Sequence, residues 1–222
     1  MASKSFLMRD EVRDLYNKRA GFYDLAVWFY CLAGMPIGRW RRLAVEALAL
    51  RRGETVIEIG CGTGLNFSLL ERAVGSKGRI IGIDISEAML ERAKARVQNA
   101  GWSNVKLLCR AAADYRFPDR VDGILSTGAI TFEPEFDKVI ERGAKALAPG
   151  RRWVVVDFKM PSSRLRYLAP LVVAMSSFGV SVALTARHPW KSLQRHLRHT
   201  RMQELYGGFA YIAYGEALSR PK

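Results

Sequence analysis

Apolar and polar positions divide the chain into three stretches. Between residues 53 and 159, short β-branched runs alternate with stretches of helical periodicity, which is how a parallel sheet with crossover helices reads in sequence. The runs predict strands over residues 55–60, 79–84, 104–109, 121–126 and 152–158. The periodic stretches predict helices over 65–73, 86–99 and 135–147, with Ser86 as the N-cap of the second and Pro149-Gly150 ending the third. Before the first strand, helical patterning covers 10–31 and 38–50, divided by Gly34-Met35-Pro36. After the fifth strand come an apolar stretch, 162–184, a basic helical stretch, 190–201, and two β-like runs, 203–206 and 209–215, split by Gly207-Gly208.

The expected architecture is α/β: a Rossmann-like, seven-stranded, mostly parallel sheet in one domain. Residues 1–52 form a helical preface, 53–159 the binding core, 160–201 a helical insertion and 202–222 the closing strands. With 222 residues, one core buries roughly 70% of the surface of the unfolded chain, so no metal or disulfide is needed. Cys31, Cys61 and Cys109 are odd in number and lack C-x-x-C spacing, so neither a disulfide framework nor a zinc site is expected. The first residues contain no signal-type apolar core, so a cytoplasmic location is expected.

Charge changes the picture. The net charge is +14, and nearly all of it sits in the two flanks, 1–52 and 160–222. An anionic partner such as nucleic acid, a phospholipid surface or a phosphorylated substrate would meet those flanks. Residues 167–184 carry no charge over 18 positions, but Pro170, Gly179 and three serines argue against a membrane span. A buried or substrate-covering insertion, or a face dipping into a bilayer interface, remains. His188, His196 and His199 lie among basic residues without a nearby acid, and no metal is expected there.

The clearest chemistry is in Glu58-Ile59-Gly60-Cys61-Gly62-Thr63-Gly64. An apolar strand runs into three glycines at alternate positions and then a helix, so backbone can turn sharply and approach a bound small molecule. The spacing is not that of the dinucleotide fingerprint. Glu58 suits an ammonium group and would repel a pyrophosphate, which points to a nucleoside bearing an amino acid. Asp84 ends the second strand, 24 residues after Gly60, where a carboxylate can grip a ribose diol through paired hydrogen bonds.

E-x-G-x-G-x-G followed by G-I-D-x-S resembles the class I S-adenosylmethionine-dependent methyltransferases. Across the whole chain, the resemblance implies a sheet with a reversed last strand and S-adenosyl-L-methionine as cofactor. It implies that Glu58, Gly60, Cys61, Gly62 and Gly64 surround the methionine part. Asp84 would hold the ribose, with Ile85 beside the adenine. Ala111 and Ala112, through their backbone, or else Asp114, would meet the adenine amino group.

Tyr16-Asn17-Lys18-Arg19-Ala20-Gly21-Phe22-Tyr23-Asp24 is similar to the Y-x-x-W-A-x-x-Y-D motif of bacterial phospholipid N-methyltransferases and lipoquinone C-methyltransferases, with Arg19 at the tryptophan position. Tyr16 and Tyr23, seven residues apart on one helical face, would close over the sulfonium, with Ser126 and Thr127 near the methyl; a plain packing face is the competing reading. A basic rim around an apolar insertion suits a lipid substrate at an anionic membrane surface, reached by peripheral association. N-methylation of a phosphatidylethanolamine-type head group is the leading expectation. C-methylation of a lipophilic quinone, RNA methylation and non-catalytic cofactor binding are the alternatives. Nucleic acid is disfavoured because Ser126-Thr127-Gly128-Ala129 stands where N/D-P-P-Y/F would follow the fourth strand, and no protein partner is evident. Leu193 and Leu197, with Trp190 one turn earlier, are expected to form a membrane-facing stripe on the 190–201 helix.

Overall fold

The computed structural model describes residues 8–32, 34–164, 167 and 182–218. Three helices come first: α1 (Arg9–Arg19), α2 (Tyr23–Leu32) and α3 (Ile37–Ala47). The core then alternates β1 (Thr55–Ile59), α4 (Phe67–Val74), β2 (Arg79–Asp84), α5 (Glu87–Asn99), β3 (Val105–Cys109), β4 (Val121–Thr127), α6 (Phe136–Ala146) and β5 (Leu147–Phe158). A helix over Pro189–His196 precedes β6 (Arg198–Leu205) and β7 (Ala210–Glu216).

The seven strands form one sheet in the order β3-β2-β1-β4-β5-β7-β6. β1 to β5 are parallel, and β7 runs antiparallel to β5 and to β6. The reversed last strand is as expected. The order reverses between β1 and β4, and such a switch point opens a crevice at the carboxyl ends of the strands. Both faces of the sheet are covered. Ile57, Ile124, Trp153 and Val155 pack on one side, whereas Val56, Leu125 and Val154 pack on the other with Phe67 and Leu70. That two-sided burial explains the unbroken apolar runs in the strands.

Three larger boundaries and one buried face differ from the sequence expectation. The 10–31 helix is two helices, because the chain turns at Ala20-Gly21-Phe22, where glycine weakens helix propagation. α1 then packs on α5, and α2 on α3. Leu147 belongs to β5 rather than to the preceding helix, since it pairs with Val121 before a bulge and is buried. The basic helix stops at His196, and Arg198–Leu205 becomes an edge strand. Finally, Leu193 and Leu197 are buried in the core, Trp190 meets Tyr211 edge-on with ring centroids 4.8 Å apart, and Arg195 pairs with Asp137 at 2.5 Å. The apolar face of that helix is thus spent on the sheet and offers no stripe to a membrane. The charge-free stretch 167–184 falls almost wholly outside the described residues. Among the described residues, no helix is long and apolar enough to cross a membrane.

Candidate active site

At the carboxyl end of β1, Gly60, Gly62 and Gly64 all have positive φ, which L side chains rarely adopt. They also serve different contacts. A Cβ on Gly60 would lie 2.1 Å from the Cβ of Ala129, and one on Gly64 would strike the Phe67 ring at 2.5 Å. A Cβ on Gly62 would meet nothing within 4 Å, because this backbone faces open space. Gly60 is therefore glycine for the packing of β1 against the turn after β4, and Gly62 borders a cavity of about 790 Å³.

That cavity runs along the strand ends. The structure places Gly60, Gly62, Asp84, Ile85, Ala111, Ala112, Thr127, Tyr16 and Tyr23 in its wall, with Ile83 and Met89 adding apolar surface. Asp84 is held in place by two backbone amides: Gly62 donates to Oδ2 at 2.8 Å and Ser86 to Oδ1 at 2.9 Å. Burial raises its pKa despite these bonds, so a ligand that donates further hydrogen bonds would relieve an undersolvated carboxylate. Ser86 caps α5, its hydroxyl accepting from the Met89 amide at 3.1 Å.

Four sequence-nominated residues lie behind the wall instead of in it. Ser126 turns its hydroxyl to the Ile130 amide at 3.1 Å, fixing the turn after β4, and so does not reach the cavity. Cys61 is buried beneath the loop, where its Sγ would sit 2.9 Å from a Cβ on Gly82. Gly64 packs over Phe67. Glu58 is fully buried; its Oε1 accepts from the Asn66 side-chain amide, and its Oε2 has no hydrogen-bond partner among the described residues. Burial is the main cause of a Glu58 pKa pushed up to about 7, with the Asn66 hydrogen bond and the Arg41 charge pulling it down. Asp114 also lies outside the wall. Its side chain is exposed, 3.7 Å from Arg9. Besides Asp84, the carboxylate that reaches the wall is Glu133, tied to Arg9 at 3.0 Å and to the Ala113 amide at 3.3 Å.

The two tyrosines come from different helices, and the break between them brings their ring centroids to 6.3 Å. Each is followed by an anchor. Asn17 accepts a 2.6 Å hydrogen bond from the Ser86 hydroxyl. Asp24 accepts from the Thr63 hydroxyl at 2.5 Å and pairs with Arg96 at 2.5 Å. The preface is thereby fastened to the glycine loop and to the cap of α5, with Tyr16 and Tyr23 carried over the cavity. Tyr16 also meets Phe132 edge-on at 6.0 Å. Burial raises the pKa of both hydroxyls, so each keeps its proton and can donate a hydrogen bond.

A second cavity of about 580 Å³ adjoins the first and shares Tyr16, Tyr23, Thr127, Gly128 and Phe132 with it. Beyond that seam its wall is mainly apolar, with Trp40, Val27, Val156 and Phe158, together with the side chains of Arg41 and Asp157. Asp157 accepts from the amides of Phe158 at 2.9 Å and Thr131 at 3.2 Å, and burial pushes its pKa up to about 6. Sequence reasoning missed Arg9, Arg41, Arg110, Glu133 and Asp157. Arg9 and Arg41 stand in charged runs, 9–11 and 39–42, that do not single them out, and the fold gathers all five from the preface and from the ends of separate strands.

Residues 56–150 match the family described as "Methyltransferase domain". The chain is 33% identical over 156 residues to a demethylmenaquinone methyltransferase of Symbiobacterium thermophilum, a match covering 69% of this chain and 61% of that one. It is 31% identical over 155 residues to a ubiquinone/menaquinone biosynthesis C-methyltransferase of Escherichia coli, covering 68% and 61%. The chain therefore spans about three fifths of the length of these relatives. A solved S-adenosylmethionine-dependent methyltransferase from Aquifex aeolicus shares the fold, with a TM-score of 0.61 at 21% identity over 80% of this chain and 89% of that one.

Proposed function

The chain belongs to the class I S-adenosylmethionine-dependent methyltransferases, and from that premise we propose that it methylates a carbon of a lipophilic hydroxyaromatic compound, a quinol, at a membrane surface. The first cavity fits the cofactor. Gly62 presents open backbone to it, Asp84 is a half-buried carboxylate suited to a diol, and Glu58 keeps a buried oxygen without a partner among the described residues beneath the same loop. When bound, S-adenosylmethionine supplies a methyl already activated by its sulfonium. The protein has then to orient the acceptor, exclude water and take away a proton.

The observation that carries the acceptor class is the second cavity, a mainly apolar chamber joined to the first at the two tyrosines. It suits a flat apolar ring. The names of the relatives favour the same acceptor, the quinone alternative, over the ethanolamine head group that leads in the sequence reading. In this reading Tyr16 and Tyr23 shield the seam from water and donate hydrogen bonds there. An Oδ of Asp157 takes the proton that the ring carbon gives up.

A surface feature supports delivery from a bilayer. α2 has no buried residue, and Phe22, Leu25, Trp28, Phe29 and Leu32 stand exposed along one side of it. Its other side supplies Tyr23 and Val27 to the second cavity. An apolar stripe within a basic flank is the arrangement of an interfacial helix on anionic lipid.

The test is incubation with S-adenosylmethionine and, separately, a demethylated naphthoquinol, its oxidised quinone and phosphatidylethanolamine, followed by mass spectrometry. Methylation of the quinol alone is expected. Methylated ethanolamine lipid with unchanged quinol would overturn the acceptor assignment.

A further inference from the structure

We infer that the second cavity binds its acceptor as an oxyanion, the phenolate of a reduced hydroxyaromatic ring, and that Arg41 on α3 is the residue that selects this form. The inference rests on the proposed methyl transfer to a hydroxyaromatic carbon and adds the ionisation state of the acceptor and the group that holds it. Arg41 enters a mainly apolar wall next to Trp40, which it shares with Asp157. Its Nη1 meets two neutral oxygens, Asn66 Oδ1 at 3.1 Å and Thr127 Oγ1 at 3.4 Å, and its Nε is buried without a hydrogen-bond partner among the described residues. Glu58 makes no direct hydrogen bond to Arg41: Asn66 stands between them, and the Arg41 charge acts on that carboxyl through space. The other acid of the wall, Asp157, is engaged by the Thr131 and Phe158 amides. The hydrogen-bond partners of this guanidinium are neutral, and although its charge also acts on Glu58, a bound anion in the chamber would complete its shell.

The chemistry agrees with that placement. An oxidised quinone ring is electron-poor and does not attack an electrophilic methyl. The reduced hydroxyaromatic ring does so at the carbon beside its oxygen, and more readily as the phenolate. A protonated amine near Arg41 would instead be repelled, whereas an anionic oxygen a few ångströms away would be favoured. Thr127 and Tyr23 border both cavities and also contact Arg41, so the cation stands at the seam where the two bound molecules must meet.

The experiment uses the full chain saturated with S-adenosylhomocysteine, and 1-naphthol as probe, because naphtholate is distinguished from naphthol by its absorbance and fluorescence. Bound naphthol should ionise roughly 1–3 pH units lower than in buffer. Arg41→Met should lose that shift, Arg41→Lys should keep part of it, and both should bind S-adenosylhomocysteine within about two-fold of the parent protein by calorimetry at pH 8.5, where Glu58 is ionised. The lysine variant keeps the test decisive if the methionine variant does not fold. A shift that survives in Arg41→Met, absence of naphthol binding, or displacement of naphthol by phosphoethanolamine would overturn the inference. A ten-fold loss of S-adenosylhomocysteine affinity in either variant would also overturn it, because Arg41 would then serve the cofactor. Failure of the parent protein to bind S-adenosylhomocysteine at all is a separate result, and it would remove the methyltransferase reading itself.

Discussion

Replacing Glu58 by glutamine tests the electrostatics of the cofactor loop. The carboxyl is fully buried, and burial moves its pKa from 4.5 to about 7. A raised carboxyl pKa means that the folded protein holds this proton more tightly than the unfolded chain does. The resulting stabilisation is complete below pH 4.5 and is lost as the pH rises through about 7. The difference corresponds to roughly 3 kcal/mol between pH 4.5 and pH 8. For a domain of this size that is a Tm change of roughly 6–12 °C.

Glu58→Gln removes the titration but keeps an oxygen for Asn66. Its amide nitrogen would sit where Oε2 has no partner, at a cost of about 1–3 kcal/mol that does not vary with pH. The expected result is a variant whose Tm, relative to the parent, climbs from pH 5 to about pH 7 and levels off by pH 8. S-adenosylhomocysteine adds a second readout. Its ammonium group favours the ionised carboxyl, so parent affinity should fall by up to about ten-fold per unit below pH 7, while the variant stays flat. Calorimetry and thermal melts across pH 5–8 measure both. Parallel pH profiles in the two proteins, for stability and for affinity, would refute the assignment of a titrating Glu58 to this site.

Asp84→Ala should abolish the thermal stabilisation by S-adenosylhomocysteine, since each lost charge-assisted hydrogen bond to the diol is worth about 1.5–3 kcal/mol, and nicotinamide dinucleotides should stabilise neither protein. Tyr16→Phe and Tyr23→Phe should each lower turnover roughly ten-fold in a steady-state assay while Tm stays within about 0.5 kcal/mol equivalent; a fall in stability without loss of activity per folded molecule would make the pair a packing face. Trp28→Ser combined with Phe29→Ser should release the protein from anionic vesicles in a sedimentation assay, with salt weakening what binding remains. Reversing Lys191 and Arg195 to Glu should matter much less there, because the Pro189–His196 helix buries its apolar face and Arg195 already pairs with Asp137.

Some of this was written locally in the chain. The strand, glycine loop and helix around Gly60–Gly64, the carboxylate ending β2 and the Ser86 cap each depend on residues a few positions apart. The alternation of apolar runs and helices likewise sets the parallel core before any contact is known. Tertiary structure decided what lay beyond that range. Tyr16 and Tyr23 approach because the chain breaks between them, and Asp24 reaches Arg96 across 72 positions to hold that break over the loop. Arg41 meets Thr127 across 86 positions, so no spacing rule could have nominated it. Ser126 and Thr127 are neighbours, yet the pleat turns one hydroxyl to a backbone amide and the other into both cavities. For Leu193 and Leu197 the sequence gives only an amphipathic period. Whether such a face meets lipid or protein depends on which surface lies nearest, and here the sheet covers it while the equally apolar side of α2 is left outside.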